Sequence, residues 1–157
     1  MRKSIRKSMK KSIKITISGF LLLMIFAALL SSCGAERVKI EDHEWKMRTV
    51  VHVENDKVVY DAAAEESSTH PEAKMIDMTL VAKDGKIIIT DITNNNTYEG
   101  TYTVSGKNPR GTDYKIMIDG KEGYATAALT TYADGRKEPT LPLMIGEYSL
   151  YFYEGSH

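Results

Sequence analysis

Residues 76–91, IDMTLVAKDGKIIITD, decide the fold. Ile76, Met78, Leu80 and Ala82 fall two apart and share one face of a strand, because successive side chains of an extended chain point to opposite sides. Asp84-Gly85 is a dipeptide suited to a two-residue type I′ turn, which needs positive φ at both central positions. Such a turn sets Ala82 opposite Ile87 and Leu80 opposite Ile89, so the apolar faces of the two arms coincide. The segment reads as a β-hairpin with one dry face and one wet face.

The same period of two continues toward the C-terminus. After a turn at Thr93–Asn96, Tyr98, Gly100, Tyr102 and Val104 alternate with Thr97, Glu99, Thr101 and Thr103. Gly100 in mid-strand predicts a bend of the sheet or a close approach by another backbone. A loop over Ser105–Thr112 leads to the inward set Tyr114, Ile116 and Ile118, then Asp119-Gly120 turns the chain into Gly123, Ala125, Ala127 and Leu129. Asp134-Gly135 turns it once more. Leu141, Leu143 and Ile145 follow, with Pro139 and Pro142 predicting an edge or irregular strand because proline cannot donate to a ladder. Tyr148, Leu150 and Phe152 close the chain opposite Ser149, Tyr151 and Tyr153.

Upstream of the hairpin, Trp45, Met47, Thr49, Val51 and Val53 alternate with Glu44, Lys46, Arg48, Val50 and His52 over His43–Val53, with Trp45 as a core anchor. Asn55-Asp56 turns into a short strand over Lys57–Tyr60. Asp61–Lys74 is the longest loop, and a short helix over Ala62–Glu66 is expected to lie across a barrel end. The fold class is therefore all-β: a single antiparallel meander of about eight strands that curls into a small barrel, closed or open. Closure favours such a sheet because it removes the exposed edges.

The first 35 residues obey different rules. Arg2, Lys3, Arg6, Lys7, Lys10, Lys11 and Lys14 precede any acid, and Ile15–Leu30 is an apolar run of 16 residues. As a helix it would cover roughly 24 Å, short of a hydrocarbon core of about 30 Å. A cationic start, an apolar core and small residues at its end make an export signal. Leu30-Ser31-Ser32-Cys33 resembles the lipobox of bacterial lipoproteins, with Cys33 the single cysteine of the chain. The resemblance implies a diacylglycerol on the Cys33 sulfur, cleavage just before it, and palmitate-type acyl chains holding the mature protein to a membrane of the bacterial cell envelope, outside the cytoplasm. The expected organisation is a signal peptide over 1–32 containing a hydrophobic helix, a lipidated tether over 33–42 and a β-barrel-like domain over 43–154.

Charge splits along the same boundary. Seven of the 21 Lys and Arg lie before Cys33, leaving 14 against all 21 Asp and Glu and a net charge of −7 for residues 33–157. So acidic a domain excludes nucleic acid as a partner, since that class of binding works by neutralising phosphates. With one cysteine there is no internal disulfide, and 125 residues suit one domain with its own core.

Trp45 near the start of the first strand, Gly100-Thr101-Tyr102-Thr103-Val104 in mid-chain and the meander together resemble lipocalin-like lipoproteins of bacteria. No enzyme, metal or cofactor is expected. Ser67 and Ser68 near His70 lack an oriented third partner, and His43 and His52 differ by nine and face opposite sides of one strand. Asp91 with Asn94, Asn95, Asn96 and Glu99 lacks the order of a calcium loop and reads as a turn. The tyrosines divide into two groups. Tyr98, Tyr102 and Tyr114 point inward and, with Trp45, are the candidate lining of a cavity for a small amphiphile. Tyr124, Tyr132, Tyr151 and Tyr153 point outward and are the candidate face for an envelope protein or glycan. A membrane-tethered binding module and an interaction or structural lipoprotein are the two readings left.

Overall fold

The computed structural model describes residues 37–63 and 69–155. The expected signal helix and lipobox lie outside the described residues, as does most of the expected 62–66 helix, whose described part, Ala62 and Ala63, is a turn. Nine strands follow one another: β1 (Trp45–His52), β2 (Lys57–Asp61), β3 (Met78–Lys83), β4 (Lys86–Asp91), β5 (Asn96–Asn108), β6 (Gly111–Ile118), β7 (Lys121–Thr131), β8 (Lys137–Ile145) and β9 (Tyr148–Glu154). Each strand from β3 onward pairs antiparallel with the next, and β9 returns to pair with β1. Eight strands thus form a closed antiparallel barrel, and β2 is an extra strand.

Closure is unequal around the ring. One edge of β1 runs along β9 from Trp45 to His52. The other edge is divided: Trp45 and Lys46 pair with Leu80 and Thr79 of β3, whereas Thr49–His52 pair with β2. Beyond Lys46 the β1–β2 hairpin separates from β3, and residues 74–77 fill the gap. Lys74 bridges to Tyr60, the Lys74 amide donates to the Val59 carbonyl at 3.1 Å, and Ile76 is buried.

The hairpin at the centre of the sequence has the expected register, Ala82 opposite Ile87 and Leu80 opposite Ile89. Its turn holds Asp84 at φ 50° and Gly85 at φ 78°, and Asp119-Gly120 repeats this pair at 50° and 73°, the type I′ sense that follows strand twist. Gly100 is a point of close approach: a Cβ there would lie 2.1 Å from the Met117 carbonyl oxygen. Alternation places Trp45, Leu80, Ile87, Ile116, Leu141, Leu143 and Phe152 in the interior with almost no exposure.

Three departures have local causes. In β1 the register against β9 shifts between Met47 and Thr49, so Val50 takes the inward place that strict alternation gives Val51. The expected loop 105–112 is mostly ladder, since β5 extends to Asn108 and β6 starts at Gly111; a register shift between Val104 and Gly106 accompanies an exposed Val104. β8 is interior, not an edge, because a closed ring has none. The β7–β8 pairing skips the residues opposite Leu141 and Pro142, which confines the loss to one side of the strand.

Candidate functional site: the open mouth of the barrel

The two ends of the barrel differ. At one end, the Arg37–Asp42 stretch of the expected tether packs into the barrel: Val38 lies against the core and Ile40 is fully buried. The segment belongs to no strand: Lys39 and Asp42 close a turn on each other, and the Ile40 backbone is satisfied by side chains from the barrel wall. The Trp45 indole N–H donates to the Ile40 carbonyl at 2.8 Å, and the Ile40 amide donates to the Tyr114 hydroxyl at 3.1 Å. Tyr102 donates to Glu41 and meets the Tyr114 ring edge-on at 5.7 Å. Burial and the Glu41 carboxylate push the Tyr102 hydroxyl up to about 12, and burial raises Tyr114 as well. His43 contacts Glu154 at 2.9 Å, and the Gly155 amide donates to the Glu44 carbonyl, binding the two ends of the domain together.

The other end is open. Here the turns β4–β5, β6–β7 and β8–β9 surround a cavity of about 450 Å³, within the range of small-molecule sites. Val50, Met78, Ile89, Ile118, Ile145 and Leu150 make its apolar wall. Its polar groups come from strand ends and turns: Tyr60, Asp91, Asn94, Asn96, Tyr98, Asp119, Lys121 and Tyr148. Tyr148 is steadied from behind by the His52 ring, edge-on at 5.5 Å, and His52 lies 3.7 Å from Glu147. The His52 Nδ1 is buried without a hydrogen-bond partner among the described residues.

Two carboxylates are buried among the described residues, and their surroundings differ. Asp61 is 5 % exposed, lies 2.8 Å from His70 Nδ1 and accepts from the Ala63 amide at 2.9 Å. Burial alone would raise its carboxyl, but the Ala63 amide, His70 and the Arg48 charge outweigh it and hold the group below the ordinary range. Asp91 is 3 % exposed and continues the inward row Ile87, Ile89 onto the cavity wall. It accepts from the backbone and side-chain nitrogens of Asn94, at 3.0 and 2.8 Å.

Of the residues expected to line a cavity, Tyr98 alone borders the mouth. Trp45, Tyr102 and Tyr114 are gathered at the opposite, filled end, where their polar atoms hold the N-terminal segment. Of the tyrosines expected outward, Tyr124 lies on β7, Tyr151 and Tyr153 on β9, and Tyr132 just after the end of β7. Tyr124 and Tyr151 are exposed, with Met144 paired to Tyr124 and Pro142 to Tyr151. Tyr132 donates to Glu138 at 3.0 Å beneath the Arg136 guanidinium, which lies 4.4 Å from its ring, and burial with the Glu138 contact pushes its hydroxyl up to about 12. Tyr153 lies under Arg48 at 5.3 Å.

Sequence reasoning missed Asp91, Asp119, Lys121 and Tyr60 as mouth residues. A signal existed for Asp91, because an acid at an inward position of an isoleucine row breaks the pattern that buries its neighbours. Among the described residues no three His, Cys, Asp or Glu side chains converge as a metal site. In comparison with known proteins, the chain matches no family model, no curated protein and no solved structure.

Proposed function

We propose that this protein is a lipid-anchored envelope module whose barrel takes the apolar part of a small amphiphile through its mouth. The observation that carries the reading is the apolar cavity of about 450 Å³ with a polar rim, at the one end that the N-terminal segment leaves unfilled. Burying an alkyl chain there would contribute about 0.8 kcal/mol per methylene, while the rim hydroxyls, amides and charges meet a polar head. The anchor would be the acylated Cys33 sulfur. Four residue steps separate Cys33 from Arg37, at most about 14 Å of chain, so the filled end would face the membrane and the mouth would face away from it. Native mass spectrometry of protein purified from its own envelope tests both parts. A bound small molecule and an acylated mass are expected; a consistently empty barrel overturns the ligand reading. Normal maturation of Cys33→Ser overturns the anchor.

The exposed pair Tyr124 and Tyr151, with Met144 on the same wall, supports a second reading, an interaction or structural lipoprotein that binds an envelope protein or glycan. Crosslinking in intact cells separates the two. The second reading requires one dominant partner that Tyr124→Ser with Tyr151→Ser abolishes.

A further inference from the structure

Burying a carboxylate is unfavourable unless a cation or several donors compensate it. Asp61 follows that rule, with His70 in contact and Arg48 near. Asp91 is at least as buried and has donors but no cation: none of the seven ion pairs among the described residues involves it. Its only hydrogen bonds among the described residues come from Asn94, which leaves acceptor capacity on a group with two oxygens and about four lone-pair sites. That group stands on the wall of the cavity. Three further features of the same mouth favour a positive guest. Tyr60, Tyr98 and Tyr148 present aromatic rings, whose faces attract cations. Asp119 adds a second carboxylate at the rim. Lys121 is the lone cation among the lining residues and is solvent-exposed, so the formal charge of the lining is net negative.

We infer that the amphiphile carries a cationic nitrogen, and that Asp91 is its counter-ion inside a mouth collared by Tyr60, Tyr98 and Tyr148. The inference rests on the small-amphiphile reading and adds the class of head group. The apolar tail lies among Met78, Ile89, Ile118 and Leu150, and the ammonium sits where those side chains give way to the carboxylate. An anionic head would meet Asp91 and Asp119 with Lys121 alone to offset them.

Calorimetric titration of the purified 33–157 chain with three probes of equal alkyl length tests this: an alkyltrimethylammonium, an alkyl maltoside and an alkyl sulfate, each below its micelle concentration. The ammonium is expected to bind about tenfold or more tightly than the maltoside, the sulfate more weakly than either, and the ammonium preference to shrink as salt is raised. Asp91→Asn should bring the ammonium-to-maltoside ratio to about one, and Lys121→Gln should raise it. Thermal unfolding reports whether Asp91→Asn folds, and the wild-type ratio with its salt dependence decides the matter if it does not. Equal binding of ammonium and maltoside, or tighter binding of the sulfate, overturns the cationic head while leaving the amphiphile reading standing. Failure of all three probes to bind overturns both.

Discussion

At Trp45 the ring and its N–H serve different ends: the indole fills the barrel beside its filled end, and the nitrogen carries the Ile40 carbonyl, which has no strand to pair with. Trp45→Phe keeps most of the apolar volume and orphans that carbonyl, so a loss of about 1–3 kcal/mol is expected in denaturant unfolding. A loss indistinguishable from zero would mean the Ile40 carbonyl finds another donor. Asp61 sets a pH signature. Its folded carboxyl titrates below the unfolded value of about 3.9, so its contribution is fully present above that value and disappears as pH falls through the lower, folded one. Asp61→Asn is expected to lower stability at neutral pH, with the gap to wild type closing below about pH 4; a gap that stays constant down to acid unfolding would contradict the assignment. Trp45 was legible as a core anchor because size and alternation agree there. Its partner was not, because Ile40 lies in a polar, charged stretch whose burial is decided by the barrel end it meets.

Hairpins are the elements that sequence specifies most fully, since turn chemistry and apolar alternation each fix the register and here they agree. The β1 bulge and the interior place of β8 were not legible, because both depend on pairing between strands far apart in the chain. Gly100 falls between these cases: its position announced a close approach, and the ring supplied the partner, the Met117 carbonyl. Gly100→Ala would drive a Cβ into that oxygen within a continuous ladder, and a destabilisation of about 2–4 kcal/mol is expected. Gly135 is the control, with nothing within 4 Å of an added Cβ and only its φ of 84° to oppose a side chain. Its alanine variant should lose about 1–2 kcal/mol. Equal losses at the two sites would show that backbone approach is not what reserves position 100 for glycine.

For the molecule as a whole, an all-β meander was legible from the rhythm of apolar residues, and the closed ring follows from β9 returning to β1. Which end stays open was not legible. That outcome depends on residues outside the alternating strands, since Arg37–Asp42 fills one end while the turns of the other leave theirs unfilled. A chain starting at His43 is expected to lose the buried Ile40 and, with it, several kcal/mol of stability, about 2–5 for the side chain alone. Unchanged unfolding of that truncated chain would show the segment to be dispensable. The filled end also changes what proteolysis would do. A cut placed between Cys33 and Arg37 leaves the cup with its base intact, whereas a cut after Ile40 detaches the stretch that caps the base and strips the Trp45 N–H and the Tyr114 hydroxyl of the Ile40 backbone groups they hold.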